Sequence, residues 1–206
     1  MSLFLRGLAP IVTVVLCLFA PALAAAQDHG TGGAAFEAEP PPPSMASPGQ
    51  WTGPEVPGAV AELLPDGTAA APADAPEQVK QAIWAANSLQ SLPYVYGGGH
   101  SRSFKGKGYD CSGTVSFALH AAGLLRMPLH SGAFMTWGLK GPGRWITVYT
   151  NPGHAYAVIA GLRLDTSVAG MSRLKGVSRK AFERGPRWRP MPRSPHGFRA
   201  RHSLSF

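Results

Sequence analysis

Apolar side chains recur at helical spacing along "DAPEQVKQAIWAANSLQ", where Val79, Ala82, Ile83, Ala86 and Leu89 fall on one face. The pattern predicts a helix with Asp74 as its N-cap, Pro76 in the first turn, Glu77 three residues after the cap, and Pro93 as its stop. "YVY" (residues 94–96) then reads as a short strand broken by Gly97-Gly98-Gly99. A second helical stripe, Val115, Ala118, Leu119 and Ala122, predicts a helix that opens at Cys111 and is capped near Gly123. Beyond it "RWITVYT", "HAYAVIA" and "LRLDTS" read as strands, the last two hinged at Ala160-Gly161. A helix, a Cys-headed helix and a run of antiparallel strands make an α+β arrangement.

The flanks read differently. Arg6, an apolar run from Leu8 to Leu23 and the small residues up to Ala26 fit a secretory signal peptide over residues 1–26. Pro10 and Pro21 bracket a run that is short for a membrane span, so no stable span is expected once it is removed. Residues 27–73 are rich in Pro, Ala and Gly and show no sustained period, which predicts a disordered, partly polyproline tether. The remaining 74–206 is read as one domain that includes a basic C-terminal segment. From Met171 onward that segment holds ten Lys or Arg against Glu183 alone. The expectation is a solvated tail that binds anionic cell-envelope polymers; the alternative is that Phe182, Trp188 and Phe198 pack it onto the domain.

Charge and cysteine usage narrow the chemistry. A formal net charge of +8 suits an anionic partner. Nucleic acid is disfavoured, because no binding module is present and Trp145 and Trp188 are too scattered for a stacking platform. Cys17 would leave with the signal peptide, so the exported chain keeps Cys111 alone. A lone thiol outside the cytosol calls for a chemical explanation. At a helix N-terminus the macrodipole and unpaired N–H groups favour a thiolate. Ser112 and Gly113 would also place backbone N–H groups where an oxyanion forms.

Among seven histidines, His154 follows Asn-Pro-Gly and heads an apolar strand, which makes it the candidate base. His100 and His130 read as ordinary loop residues. With the hairpin turn centred between Ala160 and Gly161, Asp165 lies opposite Tyr156, one diagonal step from His154. A turn longer by one residue would put Asp165 on the other face. Neither H-E-x-x-H nor clustered Cys and His at ligand spacing is present, so no metal or other cofactor is called for.

"PYVYGGG", "YDCSGTVSFALHAAGLL" and "GHAYAVIAG", in that order, resemble the NlpC-type cell-wall cysteine peptidases of the NlpC/p-sixty superfamily, over about Glu77 to Thr166. The resemblance implies a stripped-down papain-like domain in which Cys111 is the nucleophile, His154 the base and the polar residue of the next strand the orienter. It also implies that the Tyr94 hydroxyl helps bind the oxyanion. The family usually carries His in the third place, where this chain offers Asp165. The implied activity is a secreted or periplasmic, envelope-associated peptidoglycan endopeptidase acting on stem peptides at the D-Glu to diamino acid link. The alternatives are an amidase or acyltransferase on another substrate, and a non-catalytic wall-binding module of the same fold.

Overall fold

The computed structural model describes residues 51–169, 184–190 and 192–205. The expected signal peptide and the first part of the expected tether, residues 1–50, lie outside the described residues. Among those described, no helix is long and apolar enough to cross a membrane.

The first departure from expectation is the stretch before Asp74. Residues 51–73 are not a disordered tether: β1 (Glu55–Val56), β2 (Glu62–Leu63) and β3 (Ala69–Pro72) form a three-stranded sheet in the order β1-β3-β2. Ala69, Ala70 and Ala71 are buried. Alanine has little strand preference, and polar side chains of the neighbouring helix hold this sheet instead. Gln81 accepts from the Trp51 N–H and donates to its carbonyl, at 2.9 and 2.8 Å. Asn87 does the same for Ala69, and Trp84 Nε1 donates to the Pro54 carbonyl.

That helix, α1, spans Glu77–Asn87 and buries Val79, Ala82, Ile83 and Ala86 as its periodicity requires. Its N-cap is Pro76, with no side-chain cap, and not Asp74. The chain turns earlier, where Ala75 N–H donates to the Pro72 carbonyl, so Asp74 stands outside the first turn. Nor does Pro93 stop it; α1 ends at Asn87 and is followed by a series of tight turns through Leu92. Tyr94–Tyr96 make a single bridge, Tyr94 with Tyr109, in place of a strand. Gly97 and Gly99 at positive φ turn the chain away at once.

α2 (Cys111–Ala121) starts at the cysteine, and Gly123 (φ 70°) with the Leu124 N–H to Leu119 carbonyl bond closes its end. A short α3 (Ser131–Phe134) follows. The main sheet contains β4 (Leu139–Lys140), β5 (Ile146–Asn151), β6 (His154–Ile159), β7 (Leu162–Asp165), β8 (Arg187–Arg189) and β9 (Arg199–His202). Its order is β4-β9-β5-β6-β7-β8, with every pair antiparallel. Val115, Ala118 and Leu119 of α2 share one core with Ile146, Val148, Ala155, Ala157, Ile159 and Leu164 of the sheet. The molecule is a mixed α+β protein.

The basic C-terminal segment is thereby corrected as well. It supplies β8 and β9, and β9 lies inside the sheet between β4 and β5. Arg187, Arg189 and Arg201 are buried, as is Trp188, whose N–H groups donate to Gln90 and Asn87. Arg173, Lys175, Arg179, Lys180 and Phe182 lie outside the described residues. Strands three and four residues long with an arginine at every other position carry no apolar alternation, so the pattern hid them.

Candidate active site

Asp110 fixes the start of α2. Its carboxylate accepts from the Gly113 N–H at 2.7 Å, as an N-cap should, and from the Gly97 N–H at 3.1 Å. Cys111 is the next residue, so its thiol sits at the positive end of the helix. A Cβ on Gly113 would overlap the Gly98 carbonyl, so the glycine lets the Gly97–Gly99 turn close over the helix start.

The hairpin of β6 and β7 places the other two groups. Ala160 (φ 46°) and Gly161 (φ 86°) form a two-residue turn with both φ positive, the type that matches strand twist. Ile159 pairs with Leu162 and Ala157 with Leu164. The same register sets Asp165 opposite Tyr156 and diagonal to His154. His154 Nε2 lies 2.9 Å from Asp165 Oδ1. The imidazole and the Cys111 thiol are also coupled, each shifting the other's pKa. Cys111, His154 and Asp165 therefore come together as a connected chain.

The electrostatics follow from these contacts. Burial alone would raise the Cys111 thiol, but the His154 hydrogen bond, the Ala155 N–H and the His154 charge bring it below its ordinary value. Burial alone would lower the imidazole. Its bonds to Asp165 and Cys111, and their charges, outweigh that and lift it to about 9. Asp165 is fully buried, yet the His154 hydrogen bond and charge, the Ser167 N–H and Arg163 hold it below the usual carboxylate range. The arrangement favours a thiolate–imidazolium pair.

The remaining expected groups divide. Tyr94 stands near the thiol: its hydroxyl is pushed up first by burial and then by the Cys111 charge. Ser112 turns its hydroxyl to Asp110 Oδ1 and His100 Nε2, at 3.2 and 3.3 Å. Its backbone N–H, like that of Cys111, has no partner within the helix. The Gly113 N–H is committed to Asp110 and is not an oxyanion donor.

Sequence reasoning passed over three contributors. His100 is not an ordinary loop residue, since its Nε2 lies 3.0 Å from Asp110 Oδ1. Arg193 Nη1 donates to Asp165 Oδ2 at 3.2 Å, and Phe198 meets the His154 ring edge-on at 6.2 Å. The Gly-rich context of His100 and the basic context of Arg193 gave no signal, because neither contact is set by the spacing of a regular element. Among the described residues, no group of three or more His, Cys, Asp or Glu is placed to hold a metal ion. No family model, curated protein or solved structure matches this chain.

Proposed function

We propose that the protein is a secreted peptidoglycan hydrolase of the NlpC type, with a papain-like arrangement, that cuts an amide bond in stem peptides at the D-Glu to diamino acid link. The observation that carries the reading is the Cys111–His154–Asp165 chain, headed by a thiol at a helix N-terminus and closed by a 2.9 Å contact. Its partners are peptidoglycan stem peptides and the anionic polymers around them, and its place is outside the cytosol. Exposed Arg102, Lys105 and Lys107, on the loop that leads into the cysteine, offer cations to a carboxylate-rich substrate.

The chemistry needs no cofactor. The Cys111 thiolate attacks the scissile carbonyl carbon, and the oxyanion meets the free N–H at the helix start and the Tyr94 hydroxyl. The His154 imidazolium gives its proton to the leaving amine as the C–N bond breaks, which leaves an acyl-thioester. Neutral His154 then takes a proton from water, whose oxygen attacks the thioester and releases the thiolate. Asp165 keeps the imidazole oriented throughout.

Digestion of purified peptidoglycan followed by mass analysis tests the reading. Wild type releases fragments cut within the stem peptide, and Cys111→Ala releases none while its circular dichroism is unchanged. A wild-type protein that sediments with the wall and cuts nothing would make it a binding module. Cys111→Ala activity within tenfold of wild type would sink the mechanism.

A further inference from the structure

Asp165 has two oxygens, and His154 uses one of them. The other, Oδ2, faces the C-terminal segment, where Arg193 Nη1 donates to it at 3.2 Å and Arg163 Nε approaches to 3.7 Å. Arg193 does not reach in as a loose surface chain. Its guanidinium lies 4.9 Å from the Phe198 ring centroid and 5.5 Å from that of Tyr156. Phe198 and Tyr156 meet edge-to-face at 5.2 Å, and Phe198 meets His154 at 6.2 Å. Arg189, also buried, donates from Nε to the Asp165 backbone carbonyl at 3.1 Å. One segment, residues 192–198, thus touches both the imidazole and the carboxylate that orients it.

We propose that Arg193 is a positioning residue for the dyad: held on the Phe198 and Tyr156 rings, it clamps Asp165 Oδ2 so that Oδ1 is presented to His154 Nε2. The proposal rests on the hydrolase reading and adds a fourth member to it, Arg193–Asp165–His154–Cys111. The physics is that of a carboxylate with one free oxygen. Without Arg193, Oδ1 keeps the Ser167 N–H at 2.8 Å but Oδ2 has no hydrogen bond among the described residues. The carboxylate can then rotate about its last torsion and trade the His154 contact for one to Arg163. A planar guanidinium stacked on two rings is pre-organised for that clamp, which a lysine ammonium is not. Among the described residues, the titratable and charged groups that face Asp165 are His154, Arg163, Arg189, Arg193 and the Tyr156 hydroxyl. Apart from the phenol these are cations or become so, and only Arg193 and His154 make side-chain hydrogen bonds to the carboxylate oxygens among the described residues.

The test is the pH dependence of Cys111 alkylation by iodoacetamide in the full-length exported protein, read beside hydrolysis of a soluble stem peptide. Wild type alkylates with a midpoint well below that of an ordinary thiol. Arg193→Met moves the midpoint up by roughly one pH unit, since a misaligned imidazole stabilises the thiolate about tenfold less. Its kcat falls roughly 10–100-fold, as small misplacements do, while KM stays within about twofold. Arg193→Lys recovers part of both. Arg193→Gln, closer in shape and polarity, is read the same way if the Met variant does not fold. A wild-type midpoint and kcat in a folded Met or Gln variant overturns the proposal. An ordinary thiol in wild type itself would instead bring down the hydrolase reading.

Discussion

At the residue scale, the proposed chemistry turns on protonation. In that proposal the reactive form pairs a thiolate with an imidazolium, so its window opens above the lowered Cys111 value and closes as His154 loses its proton at about 9. A bell-shaped kcat/KM profile with its alkaline limb near that value is expected. Stability follows the same sign. The folded imidazole lies above its ordinary 6.5, so its contribution is full below that value and is lost as pH rises through about 9. His154→Ala removes the proton donor for the leaving amine and should be as inactive as Cys111→Ala. Asp165→Ala leaves a misdirected imidazole, so its kcat falls less and its alkaline limb moves down. An unmoved limb in Asp165→Ala would mean that Asp165 does not act on His154. These three residues were legible because each is set by local rules: a cap, a Gly-bounded strand start and the parity of a two-residue turn. Arg193 was not, since nothing local links it to Asp165, 28 residues away.

At the element scale, α2 is the part whose start matters most. Asp110 accepts from Gly113 and Gly97 N–H groups and pairs with His100, so its removal leaves the buried Gly113 donor unmet. Asp110→Ala should cost about 2 kcal/mol. For a domain of this size that lowers Tm by roughly 4–8 °C. Asp110→Asn keeps an acceptor and should lose much less. Equal Tm in both variants and wild type would show that the cap carries no stability. The helices α1 and α2 and the β5–β7 strands could be read from periodicity, because each buries one face in the shared core. The alanine strand β3 could not, being held at Ala69 by the Asn87 side chain rather than by its own side chains.

At the scale of the whole molecule, the ends of the sequence were the hardest to read, and for one reason. Prolines, alanines and arginines signal solvent when taken alone, yet here they bury against partners from elsewhere in the chain. Trp188, Arg189 and Arg201 are core residues, so a tether that could be removed is not what the C-terminal segment provides. Deleting residues 171–206 strips β8 from one edge of the sheet and β9 from its interior. The product should be insoluble or lack a cooperative melt; a soluble fragment with the wild-type Tm would refute this placement.

The central claim, that Cys111 opens an amide by forming an acyl-enzyme, is tested most directly by trapping that species. The full-length protein is mixed with a soluble stem peptide, quenched in acid within the first turnover, digested and weighed by mass spectrometry. The peptide that contains Cys111 should carry the mass of the acyl half of the substrate, in wild type and not in Cys111→Ala. Cleavage of the stem peptide with no adduct on Cys111, at a rate that Cys111→Ala leaves unchanged, would contradict the account.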